Sequence, residues 1–160
     1  LKAAINDQPE LKKLLRHPEH RELEYLYGVI VTDTTGLVED GTEGADTGLT
    51  YFADQAIDRS PTGSGAQARI ALAYARGALK LGRSWTYHWL LSNACGGRGG
   101  MVGSVAEEVT VPGFKNGGYP AVKVKVEGYA YYTGTSSWIV EADDPIAEGG
   151  FSMKDLSAAT

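Results

Sequence analysis

Apolar and polar positions along this chain follow two rhythms, and the change between them marks out the elements. From Ala121 to Glu127 (AVKVKVE), Val122, Val124 and Val126 alternate with Lys123, Lys125 and Glu127, which predicts an antiparallel strand with one buried face. From Gly65 to Leu81 the spacing lengthens: Ile70, Ala73, Tyr74, Gly77 and Leu81 fall near i, i+3, i+4 and i+7, the pattern of a helix with one buried face. Alanines at 66, 68, 71, 73, 75 and 78 raise its helix propensity and let neighbours pack close all round, so a central helix is expected. Gly77 is about 1 kcal/mol worse than Ala inside such a helix and is expected to mark a tight contact.

Shorter apolar runs predict further strands at Leu26 to Asp33 (LYGVIVTD), Leu49 to Asp54 (LTYFAD), Thr86 to Ser92 (TYHWLLS) and Met101 to Val109 (MVGSVAEEV). The valine-rich strand is expected to run through Gly128 into YAYYTG and, past a turn near Gly134, into SSWIVEA. Residues 2 to 16 read as a helix broken by Pro9, with Leu11, Leu14 and Leu15 on one face, ending near His17-Pro18. An acidic, glycine-rich surface loop is expected from Glu39 to Gly48. Several strands about one alanine-rich helix make an α+β fold, and the single long helix argues against a parallel doubly wound sheet.

Composition narrows the class. A chain of 160 residues is the size of one domain and buries enough surface to be stable without disulfides or a structural metal. Its 21 glycines favour a turn-rich fold over a helical bundle. The single cysteine, Cys95, cannot pair internally, so a reducing, cytoplasmic location is the expectation. No 18-residue apolar run and no signal-peptide pattern occur, so no membrane partner is expected. A start at Leu1 without Met suggests a piece of a longer product.

Charge changes the picture more. The net value of −5 hides a segregation: residues 1 to 58 carry 12 acidic and 5 basic side chains, and residues 59 to 106 carry 6 basic and none acidic. An acid-free segment beginning directly after Asp58 fits an anion-binding surface, while the plainer reading has Arg69, Arg76 and Lys80 simply facing water. The acidic whole makes nucleic acid a poor partner.

That segment opens on the chemically densest stretch, DRSPTGSG, from Asp58 to Gly65. Pro61 suits the turn before a helix or its first position, and Thr62, Gly63, Ser64 and Gly65 then offer unpaired amide N–H groups to an anion. Gly63 and Gly65 allow close approach of a ligand and tolerate positive φ. A capped helix start, with Thr62 or Ser64 as N-cap, is the competing explanation.

Other motifs are weaker. His17 and His20 have H-x-x-H spacing, but no nearby cysteine completes a zinc set. DGTEGAD has a calcium-loop composition without EF-hand spacing. Arg98 near Cys95 could favour a thiolate, yet no histidine adjoins it in sequence. Gly63-x-Gly65-x-x-Ala68 fits the dinucleotide fingerprint but lacks the acidic residue about 20 positions later. No Walker lysine follows.

DRSPTGSG, with Phe52 before it and ARIALAY after it, resembles the second active-site motif of the proline racemase family, DRSPCGTG. The downstream GYAYYTGTSSWIVEADDP is similar to the same family's C-terminal half, so the resemblance runs from about Tyr25 to Phe151. It implies one half of a diaminopimelate epimerase-like fold, antiparallel strands wrapped around a central helix, with the first half-domain and its proton-abstracting cysteine absent. Residues 1 to 160 would then be a single domain. Thr62 stands where racemases and epimerases of the family carry their second catalytic cysteine, and a threonine there is the mark of its trans-3-hydroxy-L-proline dehydratases. The resemblance implies a lyase without metal, flavin or pyridoxal cofactor, Thr62 in the catalytic position, and Gly63 and Ser64 amides on the substrate carboxylate. Asp58 would meet the ring ammonium and Phe52 would stand in the apolar wall. Implied partners are a small amino-acid substrate and the missing half-domain, with a homodimer left open. A racemase or epimerase, or a non-catalytic half-domain, are the alternatives.

Overall fold

A computed structural model describes residues 1–17, 20–112 and 117–144. Pro18, Pro145 and Phe151 lie outside the described residues. The chain divides into two compact units, Leu1–Ala130 and a second one beginning at Tyr131.

The first unit is built on a mixed sheet of β1 (Gly28–Asp33), β2 (Ala45–Phe52), β3 (Ala56–Ile57), β4 (Ser84–His88), β5 (Met101–Val111) and β6 (Tyr119–Gly128). Its order is β1-β2-β4-β5-β6, with β3 paired to the end of β2. Neighbours are antiparallel except β2 and β4, which run parallel through Ala45–Thr86 to Thr47–His88. That pair is parallel because a helix, α3 (Gly63–Ala75), carries the chain from one to the other. The long β5–β6 ladder supplies most of the surface on which α3 packs.

The valine alternation of β6 does what its period of two predicts. Val122, Val124 and Val126 pack on the core of Ala66, Ile70, Leu79, Tyr87 and Val105, and Lys123 faces out to pair with Glu107 at 2.8 Å. Ile70 and Leu79 are 0% and 2% exposed, each burial stabilising by about 2–3 kcal/mol. Gly103 sits between helix and sheet: a Cβ there would lie 2.2 Å from Ile70 Cδ1 and 3.0 Å from Tyr87 Cε2. Gly103→Ala is therefore expected to destabilise by about 1–3 kcal/mol through overpacking, read as a lower urea midpoint with an unchanged slope.

Several elements differ from the sequence expectation. The central helix ends at Ala75 instead of Leu81, because Gly77 takes φ +73° and the Gly77 and Ala78 amides donate to the carbonyls of Tyr74 and Ala73 at 2.9 Å each, a Schellman stop. Nothing lies within 4 Å of a Cβ at Gly77, so backbone conformation and not a tight contact selects glycine there. Leu79 is buried where Leu81 was expected, and Leu72 is 49% exposed, so α3 is covered on one side only. The apolar run TYHWLLS splits: β4 stops at His88 and residues 90–94 form a short helix, α4 (Leu90–Ala94). Ser92 makes the break by accepting the Trp89 amide at 2.9 Å and donating to the Trp89 carbonyl at 2.8 Å; such short apolar runs do not distinguish strand from helix by period.

Part of the expected acidic surface loop is the buried start of β2. Thr47, 6% exposed, donates to the Thr35 carbonyl and accepts from Asn93. Asp46 is ion-paired with Arg69 of α3, whose guanidinium also lies 4.7 Å from the Tyr87 ring centroid. Burial pushes the Asp46 carboxyl up in spite of Arg69, and burial together with Asp46 pushes the Tyr87 phenol up to about 12. His88 is fully buried, with Nε2 donating to the Leu37 carbonyl at 2.7 Å.

At the N-terminus the helix breaks before Pro9, into α1 (Lys2–Asn6) and α2 (Pro9–Lys12), followed by a 3-10 turn at Lys13–Leu15. Leu14 is 80% exposed, so it does not share a buried face with Leu11 and Leu15. In the second unit the described residues, 131–144, contain neither strand nor helix, so the strands expected in YAYYTG and SSWIVEA are absent there. Tyr132, Trp138 and Ile139 are exposed; an aromatic, β-branched segment has strand propensity but requires a partner to pair with. No helix among the described residues is long and apolar enough to cross a membrane.

Candidate active site

The site grows from a hairpin. β2 runs to Phe52, turns through Ala53, Asp54 and Gln55, and returns as β3, with Tyr51 opposite Ile57. One step further along that register Asp58 faces Thr50, and its amide donates to the Thr50 carbonyl at 3.0 Å. Since side chains alternate along a strand, Thr50 and Phe52 share one face of β2. Asp58 is thereby delivered beside Thr50 at the point where the chain leaves the sheet for α3.

Three hydrogen bonds from two residues close a turn around the Asp58 carboxylate. Oδ1 accepts the Ser60 amide and the Ser60 hydroxyl, both at 2.9 Å, and Oδ2 accepts the Thr62 hydroxyl at 2.7 Å. Burial works to raise the Asp58 carboxyl, but the hydrogen bonds from Thr62 and Ser60 outweigh it and hold the group below the usual carboxylate range. Asp58 is therefore a preset anion at neutral pH.

Thr62 occupies the N-cap position of α3 with φ 66° and ψ 103°, and its side chain makes no capping bond. A β-branched residue at positive φ is strained by roughly 1–3 kcal/mol, and the surrounding hydrogen bonds hold it: its amide donates to Ser60 Oγ at 3.1 Å and its hydroxyl is committed to Asp58. The positive φ that Gly63 and Gly65 would tolerate is taken by Thr62 and by neither glycine. Gly65 is selected by close packing, since a Cβ there would lie 2.5 Å from Ile30 Cδ1, whereas the space beside Gly63 is open.

The helix start leaves donors free. The first helix-closing bond is from the Ala66 amide to the Thr62 carbonyl at 2.8 Å, and among the described residues the amides of Gly63, Ser64 and Gly65 have no backbone partner. Neither Thr62 nor Ser64 caps them with a side chain. Three aligned N–H groups at the positive end of a 13-residue helix, next to open space at Gly63, can hold a carboxylate.

Phe52, at the end of β2, stacks its ring on Tyr27 at 6.2 Å between centroids and lines a cavity with Lys2, Asn6 and Gln55. The broader cationic surface expected of residues 59–106 is reduced, because Arg69 pairs with Asp46 and Arg83 with Glu43. Arg69 therefore does not face water either. Cys95 is exposed at the end of α4, and Arg98 donates to its carbonyl at 3.3 Å and not to its sulfur. His17 Nδ1 accepts the His20 amide at 3.0 Å.

Two members of this cluster, Ser60 and Thr50, were not singled out by sequence. Ser60, two residues after Asp58, has the spacing of an Asx-turn, a signal available in the motif. Thr50 lies 12 residues from Thr62, and only the hairpin register brings it there.

A family model described as "Proline racemase" matches residues 1–151. The bovine (Bos taurus) protein named trans-L-3-hydroxyproline dehydratase is 38% identical over 92% of this chain and 38% of its own length. A Burkholderia multivorans 3-hydroxyproline 2-epimerase is 35% identical over 93% of the chain and 39% of its own. In the crystal structure of a hydroxyproline epimerase from Agrobacterium vitis, with bound trans-4-hydroxy-L-proline, 41% of that chain superposes on 97% of this one at 22% identity and a TM-score of 0.58. The fold is thus shared, and the chain spans about two fifths of the length of these relatives.

Proposed function

Because the chain belongs to the proline racemase family, we propose that it is the carboxylate-binding half of a cofactor-independent dehydratase that converts trans-3-hydroxy-L-proline to pyrroline-2-carboxylate. One observation carries the reading: a threonine hydroxyl, not a thiol, is locked 2.7 Å from an ionised Asp58 at the mouth of a helix whose first three amides have no backbone partner among the described residues.

Each part then has a task. The Gly63 and Ser64 amides hold the substrate carboxylate, Asp58 accepts from the ring ammonium, and Phe52 contributes to the apolar wall. Removal of Cα–H puts enediolate charge on the carboxylate, so the amide donors stabilise the transition state more than the ground state. The base is the cysteine that the family resemblance assigns to the first half-domain. In the trans isomer Cα–H and the 3-hydroxyl lie on the same ring face. That base can take the proton, the Cα–H electrons become the Cα–Cβ double bond, the C3–O bond breaks, and the same proton leaves with the oxygen as water. The resulting enamine tautomerises to the ketimine.

Racemisation instead requires a second acid on the opposite face. In the family's isomerases that acid is a cysteine, whose thiol of pKa about 8.5 can be tuned toward neutrality. Thr62 has no such titration. It keeps a polar side chain on that face, holds Asp58 in place, and returns no proton to Cα. The similarity to a 3-hydroxyproline 2-epimerase supports an isomerase as the second reading, and Thr62 weighs against it.

The full-length polypeptide, this chain joined to its first half-domain, is expected to form ketimine from trans-3-hydroxy-L-proline, followed by trapping with o-aminobenzaldehyde. Proline racemisation without dehydration would overturn the proposal. In the chain alone, titration with pyrrole-2-carboxylate is expected to shift the Gly63 and Ser64 amide resonances while leaving turnover absent. Unmoved resonances would count against the anion site.

A further inference from the structure

Thr50 is a polar side chain only 4% exposed near the end of β2, and it touches both of the site's charged and hydroxylic groups. Its carbonyl accepts the Asp58 amide at 3.0 Å, and its hydroxyl oxygen lies 2.9 Å from Thr62 Oγ1. Thr62 has one hydroxyl proton and two oxygen neighbours, Asp58 Oδ2 at 2.7 Å and Thr50 Oγ1 at 2.9 Å. An ionised carboxylate only accepts, so the Thr62 proton belongs to Asp58. Thr50 Oγ1 stands on the other side as a second acceptor for the same hydroxyl, so the Thr62 oxygen is bracketed by Asp58 and Thr50.

We propose that Thr50 is a positioning residue: its hydroxyl oxygen fixes the rotamer of Thr62 while its carbonyl fixes Asp58, and it never meets the substrate. This rests on the assignment of Asp58 and Thr62 to the site. It also accounts for how Thr62 persists at φ 66°. Bonds on its amide, from Ser60, and on its hydroxyl, from two sides, over-determine a conformation that a β-branched residue would otherwise leave. Buried hydrogen-bond chains of this kind stiffen the groups they connect when every member is satisfied.

Valine matches threonine in shape and suits a strand equally well, so Thr50→Val removes the hydroxyl and leaves the carbonyl in place. Thr50→Ser keeps the hydroxyl and loses the methyl. In isotopically labelled chain, three-bond couplings should report a single Thr62 χ1 rotamer for the unsubstituted protein and for Thr50→Ser, and averaging for Thr50→Val. In the full-length polypeptide, Thr50→Val should lower kcat about tenfold to a hundredfold, the scale of a misplaced catalytic group, with KM within about twofold because Asp58 is still held, and Thr50→Ser should recover most of it. A Thr62 rotamer unmoved by Thr50→Val, or a serine variant as impaired as the valine one, overturns the role. If the full-length polypeptide does not dehydrate the substrate at all, the functional reading fails while the couplings still decide the position of Thr50.

Discussion

Replacing Asp58 with asparagine in the full-length polypeptide is expected to lower kcat/KM for trans-3-hydroxy-L-proline by about a hundredfold to a thousandfold, mostly through KM. The substitution keeps the size of the side chain but removes the charge that meets the ring ammonium. Losing one partner of a desolvated, hydrogen-bonded charge pair typically costs about 2–5 kcal/mol, and each 1.4 kcal/mol is about tenfold. The variant also carries an amide that has to point its NH2 at one of the Ser60 or Thr62 donors, so the turn itself is weakened. Steady-state kinetics checks the first effect: a loss confined to kcat would place Asp58 away from the ground-state ammonium.

The same residue gives a pH signature that does not depend on substrate. Asp58 in the folded chain titrates below its ordinary value of 3.8 because Thr62 and Ser60 donate to the carboxylate, against the opposing pull of burial. A carboxyl depressed on folding adds stability that is fully present above the unfolded value and is lost as pH falls through the folded one. Urea unfolding of the unsubstituted chain should therefore show an acid limb below about pH 4, and Asp58→Asn should flatten that residue's share of it. An unchanged acid limb in the variant would mean that the hydrogen bonds on Oδ1 and Oδ2 do not favour the ionised form.

Thr62→Cys is expected to change the product and not only the rate. A thiol in this position restores a titrating group opposite the first-half base, so the Cα carbanion can be protonated on either face and the C2 epimer of the substrate should appear beside the ketimine. Thr62→Val, which keeps the branched shape and removes the hydroxyl, should give no epimer. Its kcat/KM should drop about tenfold to a hundredfold, since a hydrogen bond to a charged group contributes about 1.5–3 kcal/mol. Chiral chromatography of the two reaction mixtures separates the outcomes. Dehydration unaffected by either change, with no epimer from the cysteine variant, would place Thr62 outside the chemistry.

These expectations all depend on the short segment from Asp58 to Gly65. DRSPTGSG announced a helix start with free amides, and the helix does begin at Gly63 with its first three amides unpartnered among the described residues. The alternation in β6 and the burial of Ile70 on α3 follow from periods of two and 3.6, which are properties of the covalent chain and are legible in it. The helix stop at Gly77 is legible only in part: glycine near a helix end commonly takes the left-handed conformation, but a glycine in a helical period equally fits a tight contact, and it is the empty space beside Gly77 that decides between the two.

What the sequence by itself determined was the identity and local order of the chemical groups: an acid, a serine, a threonine and two glycines at a helix mouth, in a chain of the proline racemase family. Tertiary structure decided what those groups do to one another. Whether Thr62 capped its helix or turned its hydroxyl on Asp58 depended on a backbone angle of 66°, and whether Arg69 offered its charge to a ligand depended on Asp46, 23 positions away. Thr50 entered the site only through the β2–β3 register. These are contacts between residues distant along the chain, set by strand pairing and by the crossover of α3, and propensity and periodicity carry no information about which distant partner a polar side chain will find.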